Sequence, residues 1–402
     1  MRKLVYLDSS DFSDLSAPEE QLSADNQQVL RLLKQEKERG AAQFLLSAVH
    51  LVEAVHSGPA HKQAAVRRAT LMGLLCDSDR LRFPDVLYRL ELQKALTTSG
   101  DGRLTQNEFL SPSNEFFGLG SPFARTRKDL QKRFQDKFDS SITHLPRRDR
   151  RRLKSEWSLT KASGRDRWRA RCRSAAIVTQ DNPDSLLDSK LLIDVLLGDR
   201  NDNDLSEAVT GRLNDPITMI DTLDVTGERE EFCSLFRKEG QERTARLRKR
   251  MEVIVLHLRK YVENGIELPS AKFMRDQISK DELLRGLIED YGPPEAHRLS
   301  EKEVRKLVAA CPALSLHADT LLAYAYSLVD ANKQRLMHGK SAVTSGEASD
   351  FSDLMHAAYA PYVDVIRCDA GFGALLKQHI SVRKKVVDRR YDLVRALGEP
   401  GP

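Results

Sequence analysis

The chain has 402 residues, of which 40% are apolar and 31% charged, and a formal net charge of +5. That length allows two or three domains, or one domain with a large insertion, each able to bury a core. No run of 18 apolar residues occurs and the apolar stretch at the start is too short for a signal peptide, so the expected setting is the cytoplasm, without a membrane anchor.

Residues 4–7 of KLVYLDSS read as a short buried strand ending at Asp8, since they are apolar without alternation and a serine pair follows. A helix is expected over 19–39, with Leu22, Val29, Leu30, Leu32 and Leu33 facing inward and Gly40 as its stop. AQFLLS gives a second strand. Ser47 then caps a helix that runs to residue 57, closed by Gly58 and Pro59. Further helices over 61–76 and 84–96 complete a strand, helix, strand, helix order that points to an α/β layer with parallel strands.

From residue 99 the character changes. TTSGDGRLTQ and SPSNEFFGLGSPF mark a boundary, and polar helices are expected over 124–138, 147–173, 185–197, 227–264 and 280–291, with hardly a strand-like stretch among them. After a second boundary at YGPPEAH come helices over 301–310 and 316–337 and a short one over 353–359. A strand over 363–368, a helix over 371–377 and a last strand in HISVRKKVV close the pattern. The expected fold is therefore α/β. Residues 1–98 and 299–402 would form one domain with a parallel sheet flanked by helices, interrupted by a large, mostly helical insertion over 99–298.

Open parallel sheets bind ligands beyond the carboxyl ends of their strands. Asp8 ends one apolar strand and Asp369 another; Glu53 lies in the helix after the second strand, and Asp353 opens the helix that leads to the strand before Asp369. Four carboxylates on one rim repel one another unless a cation neutralises them. Oxygen ligands suit Mg²⁺ or Mn²⁺. A pair of such ions beside a phosphate activates water and stabilises the leaving oxygen, so the implied chemistry is phosphodiester hydrolysis.

Each acid also has a plainer reading. Asp8 can cap the helix that follows, Glu53 can be a solvated helix acid, and Asp350, Asp353 and Asp364 can be surface carboxylates. Glu53 with His56, and Asp353 with His356, share the i, i+3 spacing of di-iron helical bundles. Such bundles need two further helical carboxylates, whereas Asp8 and Asp369 fall at strand ends. His50, His56 and His356 otherwise read as surface or packing histidines. An aspartyl-nucleophile phosphotransferase would need an acid where Ser10 stands, and neither a P-loop nor a dinucleotide-binding fingerprint occurs.

Four pieces, LVYLDSSDF, LLSAVHLVE, DLMHAAYA and VIRCDAGF, resemble in order and setting the PIN-like domain family of metal-dependent nucleases. The resemblance covers about half of the chain. It implies that Asp8, Glu53, Asp353 and Asp369 hold one or two Mg²⁺ or Mn²⁺ ions, with Ser10 near the site, and that the chain is an endonuclease acting on RNA. Asp350, one turn before Asp353, is the alternative third acid, and Asp364 is a reserve acid, either capping or behind the site. The gap between Glu53 and Asp353 is far longer than a compact PIN domain needs. The family further implies a toxin or antiviral defence effector, restrained by a regulatory or antitoxin protein. The alternative is a PIN-like scaffold that binds RNA or protein and cuts nothing; retention of all four acids argues against it.

Between Arg125 and Arg173 stand 18 Lys and Arg against 6 Asp and Glu, so the net +5 divides into +12 here and −7 elsewhere. Phosphate neutralisation is the direct use of such an excess. Arg147, Arg148, Arg150, Arg151, Arg152, Lys154, Arg165, Arg167, Arg169, Arg171 and Arg173 are the expected nucleic-acid contacts, with Trp157 and Trp168 available to stack on bases. A solvated polar helix pair is the alternative. The second basic stretch, RTARLRKRMEVIVLHLRK, has an apolar face through Met251, Ile254, Val255 and Leu258 and reads as a packed helix. Five scattered cysteines without a CxxC pair read as reduced, structural thiols.

Overall fold

Six strands form one sheet in a computed structural model that describes residues 2–55, 62–98, 100–111, 127–159, 161–176, 189–201, 204, 215–220, 249, 251–276, 278–342 and 348–398. Two units divide the chain, one made from 1–112 with 231–402 and the other from 113–230. The first unit opens with β1 (Lys3–Tyr6), α1 (Ser9–Leu15), α2 (Ala24–Glu38), β2 (Ala42–Ser47), α3 (Ala48–Val55), α4 (Lys62–Leu75) and β3 (Cys76–Leu81). It continues with α5 (Pro84–Thr97), the single turn α6 (Gln106–Phe109) and β4 (Leu110–Ser111). The second unit contains α7 (Arg127–Ser141), α8 (Arg147–Glu156), α9 (Ala162–Ala176) and α10 (Ser189–Leu197). The chain then re-enters the first unit through helical residues 251–263, α11 (Ala271–Arg275), α12 (Lys280–Tyr291), α13 (Glu301–Ala309) and α14 (Pro312–Met337). It ends with α15 (Ala348–Ala357), β5 (Val365–Arg367), α16 (Ala370–Leu376), β6 (Val386–Val387) and α17 (Arg390–Gly398).

The strand order is β4-β3-β2-β1-β5-β6, parallel throughout except for β4, which runs antiparallel to β3. The expected α/β layer is thus present, as a mixed rather than wholly parallel sheet. β1 lies at its centre, with Val5 opposite both Phe44 of β2 and Val365 of β5. All six residues of β2 are buried, which is why AQFLLS lacks the alternation of a half-exposed strand. Phe44, Leu45 and Leu46 have no exposed surface, each contributing about 2 kcal/mol of burial.

The helix ends follow local chemistry. A 3₁₀ turn at Glu19–Gln21 replaces the first turn of the helix expected from residue 19, because the Ser23 hydroxyl accepts from Asn26 N (3.2 Å) and starts α2 there. Gly40, at φ +68°, stops α2 in the left-handed conformation that glycine adopts without strain. Pro84 and Pro312 stand at the starts of α5 and α14, where a missing N–H costs nothing.

Other boundaries differ from the sequence expectation. β3 and β4 are additional strands, and the last strand shrinks to β6 because residues 383–385 coil into a 3₁₀ turn. The first unit resumes at 231 rather than 299, since Met251, Ile254, Leu258, Met274 and Ile278 bury themselves against Ala325 and Val329 of α14. Its first part likewise extends to 112 rather than 98. The expected helix over 147–173 breaks after Glu156. Gly164 permits the return: a Cβ there would lie 2.1 Å from the Ser158 carbonyl oxygen. Among the described residues no single helix is long and apolar enough to cross a membrane.

Candidate active site

β2 and β5 lie on opposite sides of β1, so the strand order reverses there, and the carboxyl end of β1 is the kind of position at which open α/β sheets bind ligands. Asp8 sits there as the N-cap of α1. Its Oδ1 accepts from Ser10 N (2.7 Å), while Asp11 Oδ2 accepts from Asp8 N (3.2 Å), completing a capping box. Asp369 caps α16 in the same way, Oδ1 accepting from Phe372 N (2.9 Å). The capping role expected for Asp8 is therefore real, and it uses one of the two carboxylate oxygens.

Glu53 enters from α3 and Asp353 from α15, and these acids act on one another. Burial pushes the Asp353 carboxyl up to about 7, and the negative charges of Glu53, Asp369 and Asp8 reinforce that shift against the opposing pull of His356. Among the described residues no three His, Cys, Asp or Glu side chains form a group that could hold a metal ion. Asp8 and Asp369 turn an oxygen onto their own helices, and Glu53 turns to His356.

Two other expected residues fall differently. Asp364 is not behind the site; its Oδ2 accepts from Leu4 N (2.8 Å) at the opposite end of β1, where it closes the β1–β5 pair, so it is corrected to a structural acid. Asp350 lies in α15 one turn before Asp353, but its side chain lies outside the described residues. Ser10 contributes its backbone N–H to Asp8 and is half-buried beside it.

Under the acids runs a buried polar chain. His356 Nε2 lies 3.2 Å from Glu53 Oε2, and its Nδ1 lies 2.5 Å from the Tyr6 hydroxyl. Tyr6 in turn meets Ser47 Oγ (2.7 Å), and Ser47 N donates to His50 Nδ1 (3.1 Å). His50 Nε2 donates to the Leu7 carbonyl (2.7 Å), one residue before Asp8. Tyr6, Ser47, His50 and His356 are all buried, so the expectation of surface histidines is half corrected: His50 and His356 are interior groups with specific partners.

Burial pushes His50 down to about 3, so it is neutral, with its hydrogen on Nε2. Burial also acts to lower His356, but the adjacent Glu53 carboxylate outweighs it and holds the ring above its ordinary value. Conversely, burial would raise Glu53, yet His356 and the Ser352 hydroxyl hold it well below the usual carboxylate range. Tyr6 is driven well above its ordinary value by burial.

This chain removes the di-iron possibility on this side. Both ring nitrogens of His356 are engaged within the protein, Nδ1 by Tyr6 and Nε2 by Glu53. His56, the other member of that pattern, lies outside the described residues. Tyr6 carried no functional signal in the sequence, because a tyrosine in an apolar strand reads as core.

In the second unit the basic residues divide into two sets. Arg152 pairs with Asp149 and Glu156, Lys154 with Asp139, Arg167 with Glu156, and Arg169 with Asp166 and Asp199. Arg165 donates to the Leu159 carbonyl (3.2 Å), Arg150 is half-buried, and the side chain of Arg173 lies outside the described residues. Arg147, Arg148, Arg151 and Arg171 are exposed and make no ion pair with the described residues. Trp157 and Trp168 pack edge to face on each other (4.8 Å), and Trp168 also meets Phe134 (4.7 Å) and Phe138 (5.6 Å). With Trp168 Nε1 donating to the Trp157 carbonyl (2.8 Å), these indoles hold α8 and α9 together, which corrects the expectation that they stand free for bases. No family model matches the chain, and neither a curated protein nor a solved structure matches it.

Proposed function

We propose that the chain is a PIN-like, Mg²⁺- or Mn²⁺-dependent endonuclease that hydrolyses RNA. One arrangement carries this reading: Asp8 and Asp369 cap the helices that follow the neighbouring strands β1 and β5, and the half-buried Asp353 lies close enough to them and to Glu53 that their charges add to burial in raising its carboxyl to about 7. A fold gains nothing from gathering negative charge where water is scarce, and a cation relieves the repulsion. Asp8, Asp369, Glu53 and Asp353 are the residues that would hold it. The chemistry a bound divalent cation supplies is Lewis-acid stabilisation of the charge that develops on a phosphodiester during hydrolysis. The protein's own part is to fix the acids: α1 and α16 each anchor one oxygen of Asp8 and Asp369, and His356 anchors Glu53. Arg147, Arg148 and Arg151 on α8 supply cations for the RNA backbone.

A second reading, a scaffold that binds without cutting, draws on a specific observation too. Three of the four acids already have partners within the protein, and no metal-ligating group is formed among the described residues. Asp8→Asn separates the two. Asparagine is as good an N-cap as aspartate, so α1 is preserved while a negative charge is lost. The nuclease reading expects Mn²⁺-dependent cleavage of single-stranded RNA to disappear with the melting temperature nearly unchanged. Cleavage at the native rate by Asp8→Asn sinks the assignment, and a native chain that binds RNA without cutting it supports the scaffold.

A further inference from the structure

We propose that the helix over 251–263 is the contact through which two copies of this chain associate, each helix lying antiparallel to its counterpart about a two-fold axis at Leu256. Association of this kind does not depend on the nuclease reading; it follows from what the helix keeps in water.

One side of the helix is taken up by the core. Met251, Ile254 and Leu258 recur at three- and four-residue spacing and bury themselves against Ala325 and Val329 of α14. At about 3.6 residues per turn the opposite side carries Glu252, Val253, Leu256, Lys260 and Glu263, with Lys249, itself helical, one turn earlier, and all six are exposed. Val253 is 46% exposed and Leu256 53%. Three residues apart, they are neighbours on the helix surface and form one apolar strip rather than two scattered side chains.

The charges around that strip read the same backwards with their signs exchanged. Glu252 stands four residues before Leu256 and Lys260 four after it; Lys249 stands seven before and Glu263 seven after. Lys249 with Glu252, and Lys260 with Glu263, are also spaced to pair within the helix, yet none of the four makes an ion pair with the described residues.

In an antiparallel pair centred on Leu256 each of these charges meets its opposite on the other copy. Glu252 faces Lys260 and Lys249 faces Glu263, and the two-fold axis makes each contact twice. Leu256 meets Leu256 on the axis, and Val253 meets the aliphatic stem of the exposed Arg259. A parallel pair would set each charge on its own kind, so the pattern selects one direction. It also selects the occupant. An isologous contact requires a surface that complements itself, and a mirrored row of opposite charges is that surface. Two apolar side chains and a rim of charges from each copy make a small contact, so the dissociation constant is expected to be micromolar or weaker and to rise with salt.

Sedimentation velocity of the full-length chain, over a concentration series from micromolar to millimolar, is the test. The native chain is expected to pass from monomer to dimer. Glu252→Lys sets like charges against Lys260 twice in each dimer and is expected to weaken association roughly 10-fold or more, and Lys260→Glu does the same from the other side. Glu252→Lys combined with Lys260→Glu restores opposite pairs, and its dissociation constant is expected to return to within about threefold of the native one. Leu256→Lys, which puts two cations face to face on the axis, is expected to stay monomeric. All three positions are exposed, so the variants should fold as the native chain does. A native chain that remains monomeric into the millimolar range overturns the proposal and leaves the face to a different occupant. A native dimer that neither the single swaps nor Leu256→Lys weakens overturns it too, because the copies then meet elsewhere. Single swaps that weaken the dimer with no recovery in the double swap also overturn it, since Glu252 and Lys260 then do not face each other.

Discussion

Glu91, in α5, has no exposed surface, yet it is a carboxylic acid with several partners. Its Oε1 accepts from Ala313 N (2.8 Å) and its Oε2 from Leu314 N (3.0 Å), and Tyr362 donates its hydroxyl to Oε1. It therefore caps the start of α14 from a helix more than two hundred residues away in sequence. Burial outweighs these hydrogen bonds and pushes the carboxyl from 4.5 to about 7. Since the folded value is the higher one, the folded state holds its proton while the unfolded chain has released it. Stability from this group is therefore fullest below pH 4.5 and is lost as pH rises through about 7. The shift corresponds to about 3 kcal/mol. Glu91→Gln, which cannot ionise, is expected to lose less stability than the native chain between those pH values, read from denaturant midpoints. Identical pH dependence in the two proteins would refute it. The sequence hides such groups: Glu91 stands in an amphipathic helix where an acid reads as solvated. His356 was hidden for the same reason, because its partner Tyr6 lies 350 positions earlier. Asp8 and Asp369 were legible because a strand end followed by a helix start needs only local sequence to recognise.

At the level of elements, the start of α8 carries more positive than negative charge. Arg147 and Arg148 stand beside the single acid Asp149 in its first turn, where a helix favours negative charge, and Pro146 offers no side-chain cap. Arg147 and Arg151, and Arg148 and Arg151, are spaced to share a face. A helix that carries cations at its positive end gains from an outside anion, which is the physical ground for assigning this face to RNA phosphates. Replacing Arg147, Arg148 and Arg151 together by Gln is expected to weaken single-stranded RNA binding and flatten its salt dependence, lowering the slope of log affinity against log salt by about 2. An unchanged slope would return α8 to the status of a solvated helix. Mn²⁺ stabilisation of the first unit should not change.

The strands show what can be read at this scale. β1, β2 and β5 are mostly apolar without alternation and were readable as buried parallel strands. β3 is CDSDRL, with an acid, a serine and an acid at its middle, so neither alternation nor an apolar run marks it. It is a strand because its backbone pairs with β2, Leu46 opposite Arg80 and Ser47 opposite Leu81, and that pairing is a tertiary fact. The break between α8 and α9 was similarly invisible, since a lone glycine in a helical pattern does not mark a break by itself, and the need for Gly164 appears only where its backbone meets the Ser158 carbonyl.

For the first unit as a whole, the decisive feature is that α17 locks the first two helices. Arg390 of α17 donates from Nε to Asp11 Oδ1 (2.9 Å) and from Nη1 to Asn26 Oδ1 (3.3 Å), and it pairs with Asp14. Arg367, the last residue of β5, approaches the same Asp11 oxygen at 3.3 Å. Asp11 is 1% exposed and its other oxygen closes the capping box on Asp8. Lys3 Nζ also reaches the Ala396 carbonyl (2.7 Å), so β1 and α1 are both tied to the end of the chain. The central strand thus awaits β5 and α17, which lie far from it in sequence, and such long-range closure is entropically expensive until it is complete. Removing one of two cations from a buried carboxylate leaves part of its charge uncompensated, at a cost of about 3 kcal/mol, the low end of the range because Arg367 remains. Arg390→Ala is therefore expected to lower the stability of the first unit by that amount. It should also speed amide exchange at Ser10 and Asp11 and reduce stabilisation by Mn²⁺, although Arg390 touches none of the four acids. If stability falls while exchange at Ser10 and Mn²⁺ stabilisation stay native, the clamp serves the fold alone and Asp8 is held by its own helix.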